Sequence, residues 1–115
     1  MARRGARGAE VVTIYWRDIP AQVNGRNGSE RHQVVLPHRF QKAIDRAAMV
    51  AGKKTAHEYV AEWRRTTRPL AGDPGGIGAE VASAAATIER DYPNERLTAL
   101  VANGGWEPDH GATAE

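Results

Sequence analysis

Few residues that could carry out chemistry lie at a spacing that a known mechanism uses. The four histidines are His32, His38, His57 and His110. No two of them stand at i and i+4, and His57-Glu58 lacks the second histidine of a zinc-protease helix because residue 61 is alanine. Neither Ser29 nor Ser83 has the glycines two residues before and two residues after it that a nucleophile elbow contains. Without cysteine, thiolate metal sites and cysteine nucleophiles are excluded. We therefore expect no catalytic residues, no metal site and no cofactor.

Two groups of residues are better suited to binding. The first is Tyr15, Trp16, Arg17 and Asp18, which place two aromatic and two charged side chains at the end of a predicted strand, where binding residues often lie. The ordinary interpretation is a core anchor in which Arg17 and Asp18 pair with each other or cap the next turn.

The second group is a strip of cations. Arg39, Lys42 and Arg46 stand at i, i+3 and i+7, with Lys53 at i+14 if the helix extends that far. Further cations accompany them: Lys54, Arg64, Arg65 and Arg68. The ordinary interpretation is the solvated side of an amphipathic helix. Both groups are candidate partner-binding residues.

The charge is divided along the chain. Residues 1–68 contain 14 Lys and Arg against 6 Asp and Glu, and residues 69–115 contain 2 against 8, so that +8 and −6 leave a net charge of +2. Either the acidic part lies near the basic part and offsets its field, or the basic half faces an anionic partner such as nucleic acid, an acidic protein or a phosphorylated cofactor.

Composition and patterning indicate one small domain. Of the 115 residues, 41% are apolar, enough for one core. We expect a basic disordered tail over residues 1–9, a domain over 10–104 and a flexible acidic tail over 105–115. No apolar stretch is long enough to span a membrane, and no signal peptide is evident, so we expect a cytoplasmic protein.

The pattern predicts two strands near the start of the domain. Residues 11–16 are β-branched or aromatic and form the first, with Val12, Ile14 and Trp16 on one face. Residues 17–30 read as a connection, because Asn24-Gly25 and Asn27-Gly28 are turn dipeptides. Residues 31–36 form the second strand, antiparallel to the first, with His32, Val34 and Leu36 on one face.

Four helices are predicted after Pro37. The first ends at Gly52 and buries Phe40, Ile44, Ala47, Ala48 and Ala51. Thr55 and Glu58 form a capping box for the second, with Ala56, Tyr59, Val60 and Trp63 on its apolar face. A loop over 66–78 precedes a helix over about 78–92 and a shorter one over 94–103. The expected fold is α+β: an antiparallel two-strand element packed by a helical hairpin and one or two C-terminal helices.

Two segments resemble a known family. Tyr15-Trp16-Arg17-Asp18-Ile19-Pro20-Ala21-Gln22-Val23 and the stretch from Leu36-Pro37-His38-Arg39-Phe40 to Met49 resemble the bacterial "virulence factor" domain family, a domain also found in larger proteins named conserved virulence factor C. The resemblance extends over roughly residues 10–101. Members of that family are encoded near folate-linked and corrinoid-linked one-carbon enzymes, so the resemblance implies an accessory role. It implies no catalytic residues.

A second, local similarity is to ribbon-helix-helix DNA-binding proteins, over residues 31 to about 65. It rests on a strand, the Leu36-Pro37 step, Phe40, Ile44 and Gly52. In such proteins the alternate strand residues, here Arg31, Gln33 and Val35, enter the major groove. Any strand-helix-helix unit shares this apolar spacing, and valine cannot read a base edge by hydrogen bonds.

Taken together, these patterns favour a non-catalytic accessory or adaptor protein that binds a protein partner through its basic N-terminal half. A dimeric ribbon-helix-helix DNA-binding protein is the alternative, and an enzyme of unknown reaction is third. The pattern leaves the oligomeric state open.

Overall fold

The chain forms a four-stranded sheet packed by helices. The computed structural model describes residues 9–70 and 76–107. Its elements, in chain order, are β1 (Ala9–Trp16), β2 (Ile19–Asn27), β3 (Glu30–Val35), α1 (His38–Val50), α2 (Ala56–Val60), β4 (Trp63–Pro69), α3 (Ile77–Asp91) and α4 (Asn94–Ala102). The predicted α+β class is confirmed. The prediction of a two-strand element was wrong, because four antiparallel strands pair in the order β3-β2-β1-β4. Residues 1–8, 71–75 and 108–115, which hold most of the two predicted tails and part of the predicted loop, lie outside the described residues.

The predicted connection over residues 17–30 is mostly strand β2. Asn24-Gly25 lies inside that strand and is not a turn. A Cβ on Gly25 would overlap the side chains of Val81 and Ile77 in α3, so glycine is needed there for the close approach of helix and strand. The other dipeptide behaves as predicted: Asn27-Gly28 opens the β2–β3 hairpin, and Gly28 has a φ of +63°.

Strand β3 was predicted with nearly correct bounds but with the wrong neighbour. It pairs with β2 and is separated from β1 by that strand. Its predicted inner face is confirmed, because His32 and Val34 are half-buried and Leu36 is buried.

The side chains of β1 do not alternate regularly between the two faces of the sheet. Both Val11 and Trp16 belong to the core, although they stand five positions apart and alternation would separate them. An irregularity in the β1–β2 register between Ile14 and Tyr15 lies between them. Such bulges re-aim side chains locally, which a pattern of alternating residue types does not reveal.

Helix α1 follows its predicted pattern closely. Phe40, Ile44, Ala47 and Ala48 are buried, and Ala51 is half-buried at the C-cap. Pro37 occupies the N-cap position, where its missing N–H costs no intrahelical hydrogen bond.

The predicted second helix is a single turn. Its capping box is confirmed, because the Thr55 hydroxyl accepts a hydrogen bond from the Glu58 N–H and the Glu58 carboxylate accepts one from the Thr55 N–H. The helix ends at Val60, which is 60% exposed, and Trp63 begins strand β4 opposite Trp16. The predicted apolar helical face and helical hairpin were therefore wrong, because residues 63–69 pair with β1 instead.

Helices α3 and α4 agree with prediction and complete the core. Helix α3 packs on the sheet and α4 packs on α1. One buried cluster joins all of these elements: Val11, Trp16, Ile19, Val23, Leu36, Phe40, Ala43, Ile44, Ala47, Ala48, Ile77, Val81, Ala85, Leu97 and Leu100. Within the described part of the chain, no helix has the length and apolar character needed to cross a bilayer.

Candidate binding site

A groove between α1 and α4 contains the predicted cationic strip. We call it the α1–α4 groove, and its volume is about 260 Å³. Helix α1 contributes one wall and α4 the other. The lining residues are Arg39, Lys42, Ala43 and Arg46 from α1, and Asn94, Leu97, Thr98 and Val101 from α4. The i, i+3, i+7 spacing that grouped the three cations in the sequence thus places all of them along one groove.

Arg39 is fixed by the end of α3. Its guanidinium donates to the carbonyl oxygens of Glu89 and Tyr92, and it lies 4.5 Å from the centre of the Phe40 ring. Carbonyls in the last turn of a helix lack intrahelical partners and carry partial negative charge. Arg39 therefore joins α1 to α3 and is only half-exposed.

Lys42 and Arg46 are the available cations of the groove. Both are exposed, and neither has a hydrogen-bonding or ion-pairing partner among the described residues. Within the same ranges, Arg68–Glu80 is the one ion pair that joins the basic and acidic portions of the chain. The described acidic residues therefore leave these two charges unneutralised by direct contact.

The rest of the groove is apolar and neutral. Ala43 and Leu97 are buried, and Val101 is half-buried beside them, so the floor is apolar. Asn94 and Thr98 place an amide and a hydroxyl on the wall opposite the cations. An apolar floor with cations on one wall is suited to a ligand that combines an apolar group with an adjacent anion.

The Tyr15–Asp18 segment, by contrast, is engaged within the protein. Trp16 is fully buried, its indole N–H donates to the Tyr59 carbonyl at 2.8 Å, and its ring stacks on that of Tyr59 at 5.7 Å. Tyr15 is half-buried, with the Arg64 guanidinium 4.6 Å from its ring centre.

Arg17 and Asp18 form the turn between β1 and β2, and each bonds to a distant part of the chain. Arg17 is the one non-glycine residue of the described chain with positive φ, at +53°. It donates to the Glu62 carboxylate at 3.2 Å and to the Gly104 carbonyl at 2.9 Å. Asp18 accepts from Arg64 at 2.9 Å and from the Glu107 N–H at 2.8 Å. The expected Arg17–Asp18 pair is replaced by these longer-range contacts, which hold the end of the described chain against the sheet.

The other predicted cations do not extend the groove. Helix α1 ends at Val50, and Lys53 instead pairs with Glu62 at 3.3 Å. Arg64 is engaged by Asp18 and Arg68 by Glu80, each at 2.9 Å. The continuous strip is therefore limited to the three cations of α1.

Two shifted pKa values mark ordered contacts. Burial raises the pKa of the Tyr92 hydroxyl, and the charge of Arg96 offsets this only in part. Burial also acts to raise the pKa of the Glu62 carboxyl, but hydrogen bonds from Arg17 and Lys53 outweigh it and lower that pKa below its usual value. Both groups support the fold, and neither lines the α1–α4 groove.

Sequence reasoning missed the α4 wall of the groove. Asn94, Leu97, Thr98 and Val101 share one face of α4 by their spacing, and this amphipathic pattern was the available signal. The pattern does not specify which helix packs against that face, so the groove could not be assembled from the sequence.

The ribbon-helix-helix architecture is not present in the described chain. Strand β3 pairs with β2 of the same chain, and α2 has five residues where that architecture needs a second helix of several turns. Arg31, Gln33 and Val35 are nevertheless exposed together, as alternation predicted.

Comparison with protein-family models identifies a family. Residues 14–101 match the model of a protein family whose description is "Virulence factor". This range covers most of the chain, including all but the first residues of the sheet and nearly all of α4. Searches among curated proteins and among solved structures found no match.

Proposed function

The chain belongs to the virulence factor family, and we propose that it is a non-catalytic accessory protein that binds an acidic segment of a partner protein in the α1–α4 groove. Lys42 and Arg46 contact the acidic side chains. Ala43, Leu97 and Val101 receive an apolar side chain of the same segment.

The observation that carries the proposal is that exposed cations without ion-pair partners lie next to an apolar cleft. Among the described cations without an ion pair, Lys42 and Arg46 are the two exposed ones that lie beside a floor of buried aliphatic side chains. If these cations were only the solvated side of an amphipathic helix, no apolar cleft would be needed beside them. Because a groove of about 260 Å³ accommodates only a few side chains, the partner contributes a short anchor.

In this proposal Arg39 and the Tyr15–Asp18 segment support the site. Arg39 sets the position of α1 relative to α3 through the Glu89 and Tyr92 carbonyls. Trp16, Arg17 and Asp18 stabilise the domain on which the groove stands, because their polar groups are already hydrogen-bonded within the chain.

The partners to test first come from the family resemblance. Folate-linked and corrinoid-linked one-carbon enzymes are the class it implied, and those with exposed segments that combine aspartate or glutamate with leucine, isoleucine or methionine fit the groove chemically.

Site-specific photo-crosslinking tests the proposal. A photo-crosslinking amino acid at Thr98, on the exposed α4 wall, should capture a partner in the native cell, and the same amino acid at Thr67 on β4 should not. Lys42→Glu with Arg46→Glu should abolish the Thr98 crosslink, because two carboxylates would then face the acidic segment.

A direct measurement accompanies the crosslink. The captured protein, purified and titrated into the full chain, should bind wild type at least tenfold more tightly than the Lys42→Glu/Arg46→Glu variant. The matched control is Arg31→Glu/Arg65→Glu, which makes the same charge change on the sheet and should bind like wild type. Equal weakening by the two variants, or a Thr98 crosslink that survives the groove variant, would reject the groove as the binding site.

A further inference from the structure

Strand β3 forms one edge of the sheet, and the outer side of its backbone has no hydrogen-bonding partner among the described residues. At its end, the Leu36 N–H donates to the Ala21 carbonyl of β2 at 3.1 Å. Bonded and unbonded positions alternate in an antiparallel pair, so every second residue of β3 turns its N–H and C=O away from β2. We call these the outward residues, and they are Arg31, Gln33 and Val35.

The two edges of the sheet differ in how well they resist further pairing. The other edge strand, β4, carries Arg64, Arg65 and Arg68 and ends at Pro69, which has no N–H. Cations and proline on an edge strand are the usual means by which proteins prevent another strand from pairing there. Strand β3 contains no proline and its register with β2 contains no bulge. It also carries Val35, which is 68% exposed. Of the two edges, β3 is therefore the one suited to a further strand.

Helix α3, which packs on β2 and β3, leaves this edge accessible. A Cβ added to Gly78 would lie 3.0 Å from the His32 ring, so the flank of α3 that contains Gly78 faces β3. Ala82 and Ala86 follow on the same flank at four-residue spacing, and both are exposed. Their side chains are too short to cover the outer backbone of β3.

A second copy of β3 fits this edge best in one register. Identical strands that pair about a two-fold axis are antiparallel, and their outward residues must face each other for hydrogen bonds to form. Centring the pair on Gln33 places Gln33 opposite its own copy and Arg31 opposite Val35, so all the outward residues are paired. A shift by two residues places Arg31 opposite Pro37, or Val35 opposite the turn residue Ser29, and pairs are lost.

The centred register also suits the charges and the apolar side chains. Arg31 lies opposite Val35 and diagonal to Gln33 of the second copy, so no like charge stands next to it across the interface. The two Arg31 residues lie four positions apart along the strands, about 13 Å at about 3.3 Å per residue. The aliphatic stem of Arg31 covers the exposed Val35. On the α3 side, the half-buried His32 and Val34 lie opposite each other.

We propose that two copies of the chain associate through β3, joining their four-stranded sheets into one continuous antiparallel sheet. A two-fold axis normal to the sheet places α3 of both copies on the same side, with the small residues of the Gly78 flank between them. The proposal is independent of the α1–α4 groove, which β3 does not line. A single strand pair is small compared with the roughly 1,600 Å² of a standard interface, so we expect a dimer that dissociates on dilution to micromolar concentrations.

Sedimentation velocity of the full chain from about 2 to about 500 µM tests the proposal. Gln33→Pro should abolish the dimer, because it removes the central outward N–H and leaves the bonds to β2 intact. The matched control is Thr67→Pro. Thr67 also has an outward N–H, since the Leu70 N–H donates to the Ala9 carbonyl and positions alternate from there. This control should dimerise like wild type.

A charge test at Val35 leaves the backbone unchanged. Val35→Glu places a carboxylate opposite Arg31 of the second copy, whereas Val35→Lys places like charges opposite each other at both ends of the interface. The dissociation constant of the dimer should be at least about fivefold lower for Val35→Glu than for Val35→Lys. Arg31→Glu combined with Val35→Lys should regain the affinity that Val35→Lys loses.

Four results would overturn the proposal. They are a monomer over the whole concentration range, a dimer that survives Gln33→Pro, equal loss in the two proline variants, and equal dissociation constants for Val35→Glu and Val35→Lys. Circular dichroism verifies that each variant is folded, and the Val35 variants decide the outcome if Gln33→Pro does not fold.

Discussion

Replacing Gly25 with alanine should destabilise the protein, although the residue lies in a sequence that is typical of a turn. Gly25 lies within β2, and the added Cβ would come within 2.9 Å of the Ile77 Cγ1 and closer still to the Val81 Cγ2. Both neighbours are fully buried, so neither can move aside without disturbing the core.

The expected loss follows from two opposing effects. Overpacking of a tight core costs about 1–3 kcal/mol, and alanine regains about 0.5–1 kcal/mol over glycine in a strand. We expect a net loss of about 1–2 kcal/mol. Since about 1 kcal/mol corresponds to roughly 4–8 °C in a domain of this size, Tm should fall by several degrees.

A double-mutant cycle identifies the cause. Urea and thermal denaturation of Gly25→Ala, Val81→Ala and the double variant give the coupling between the two positions. Val81→Ala alone removes buried methyl groups and destabilises the protein. The double variant should lose at least about 1 kcal/mol less than the two single losses together, because the smaller side chain makes room for the new methyl group.

A neutral Gly25→Ala variant, or strictly additive losses, would refute the packing of α3 on β2 at this point. The control is Gly76→Ala, since Gly76 has negative φ and nothing within 4 Å of an added Cβ. Because Gly76 is the N-cap of α3, where glycine is preferred to alanine, this variant should lose no more than about 1 kcal/mol, and its loss should add to that of Val81→Ala without coupling.

Two further predictions concern stability. Thr55→Ala removes one side of the capping box with Glu58 and should cost about 1 kcal/mol, measured by urea denaturation; Thr55→Ser should restore most of it, and equal losses in both would contradict the cap. Glu62→Gln should lower Tm most at neutral pH. Burial raises the pKa of Glu62, but Arg17 and Lys53 lower it further, so the ionised group stabilises the fold above the ordinary glutamate pKa and that contribution is lost as pH falls through the lowered value. The difference in Tm between variant and wild type should shrink from about pH 7 to about pH 3, and a constant difference would contradict it.

The elements that could be predicted are those whose signals are local. Phe40 and Ile44 recur at helical spacing, and the Thr55–Glu58 capping box acts within one turn, so both were located from the sequence. The length of α2 was not, because Tyr59 and Trp63 fit a helical spacing equally well. Pairing of Trp63 with Trp16 decides that residue 63 is extended, and those two positions are 47 residues apart in the chain.

The candidate site shows the same division. By itself the sequence determined that Arg39, Lys42 and Arg46 share one side of a helix whose other side is buried, because the repeat of an α-helix fixes both faces. Only the tertiary structure decided that α4 lies beside that strip and forms a groove with it, that Arg39 is taken up by the end of α3, and that β2 exists at all. These outcomes depend on contacts between segments far apart in the chain. Residue types indicate which face of an element must be buried, but they do not identify the segment that buries it.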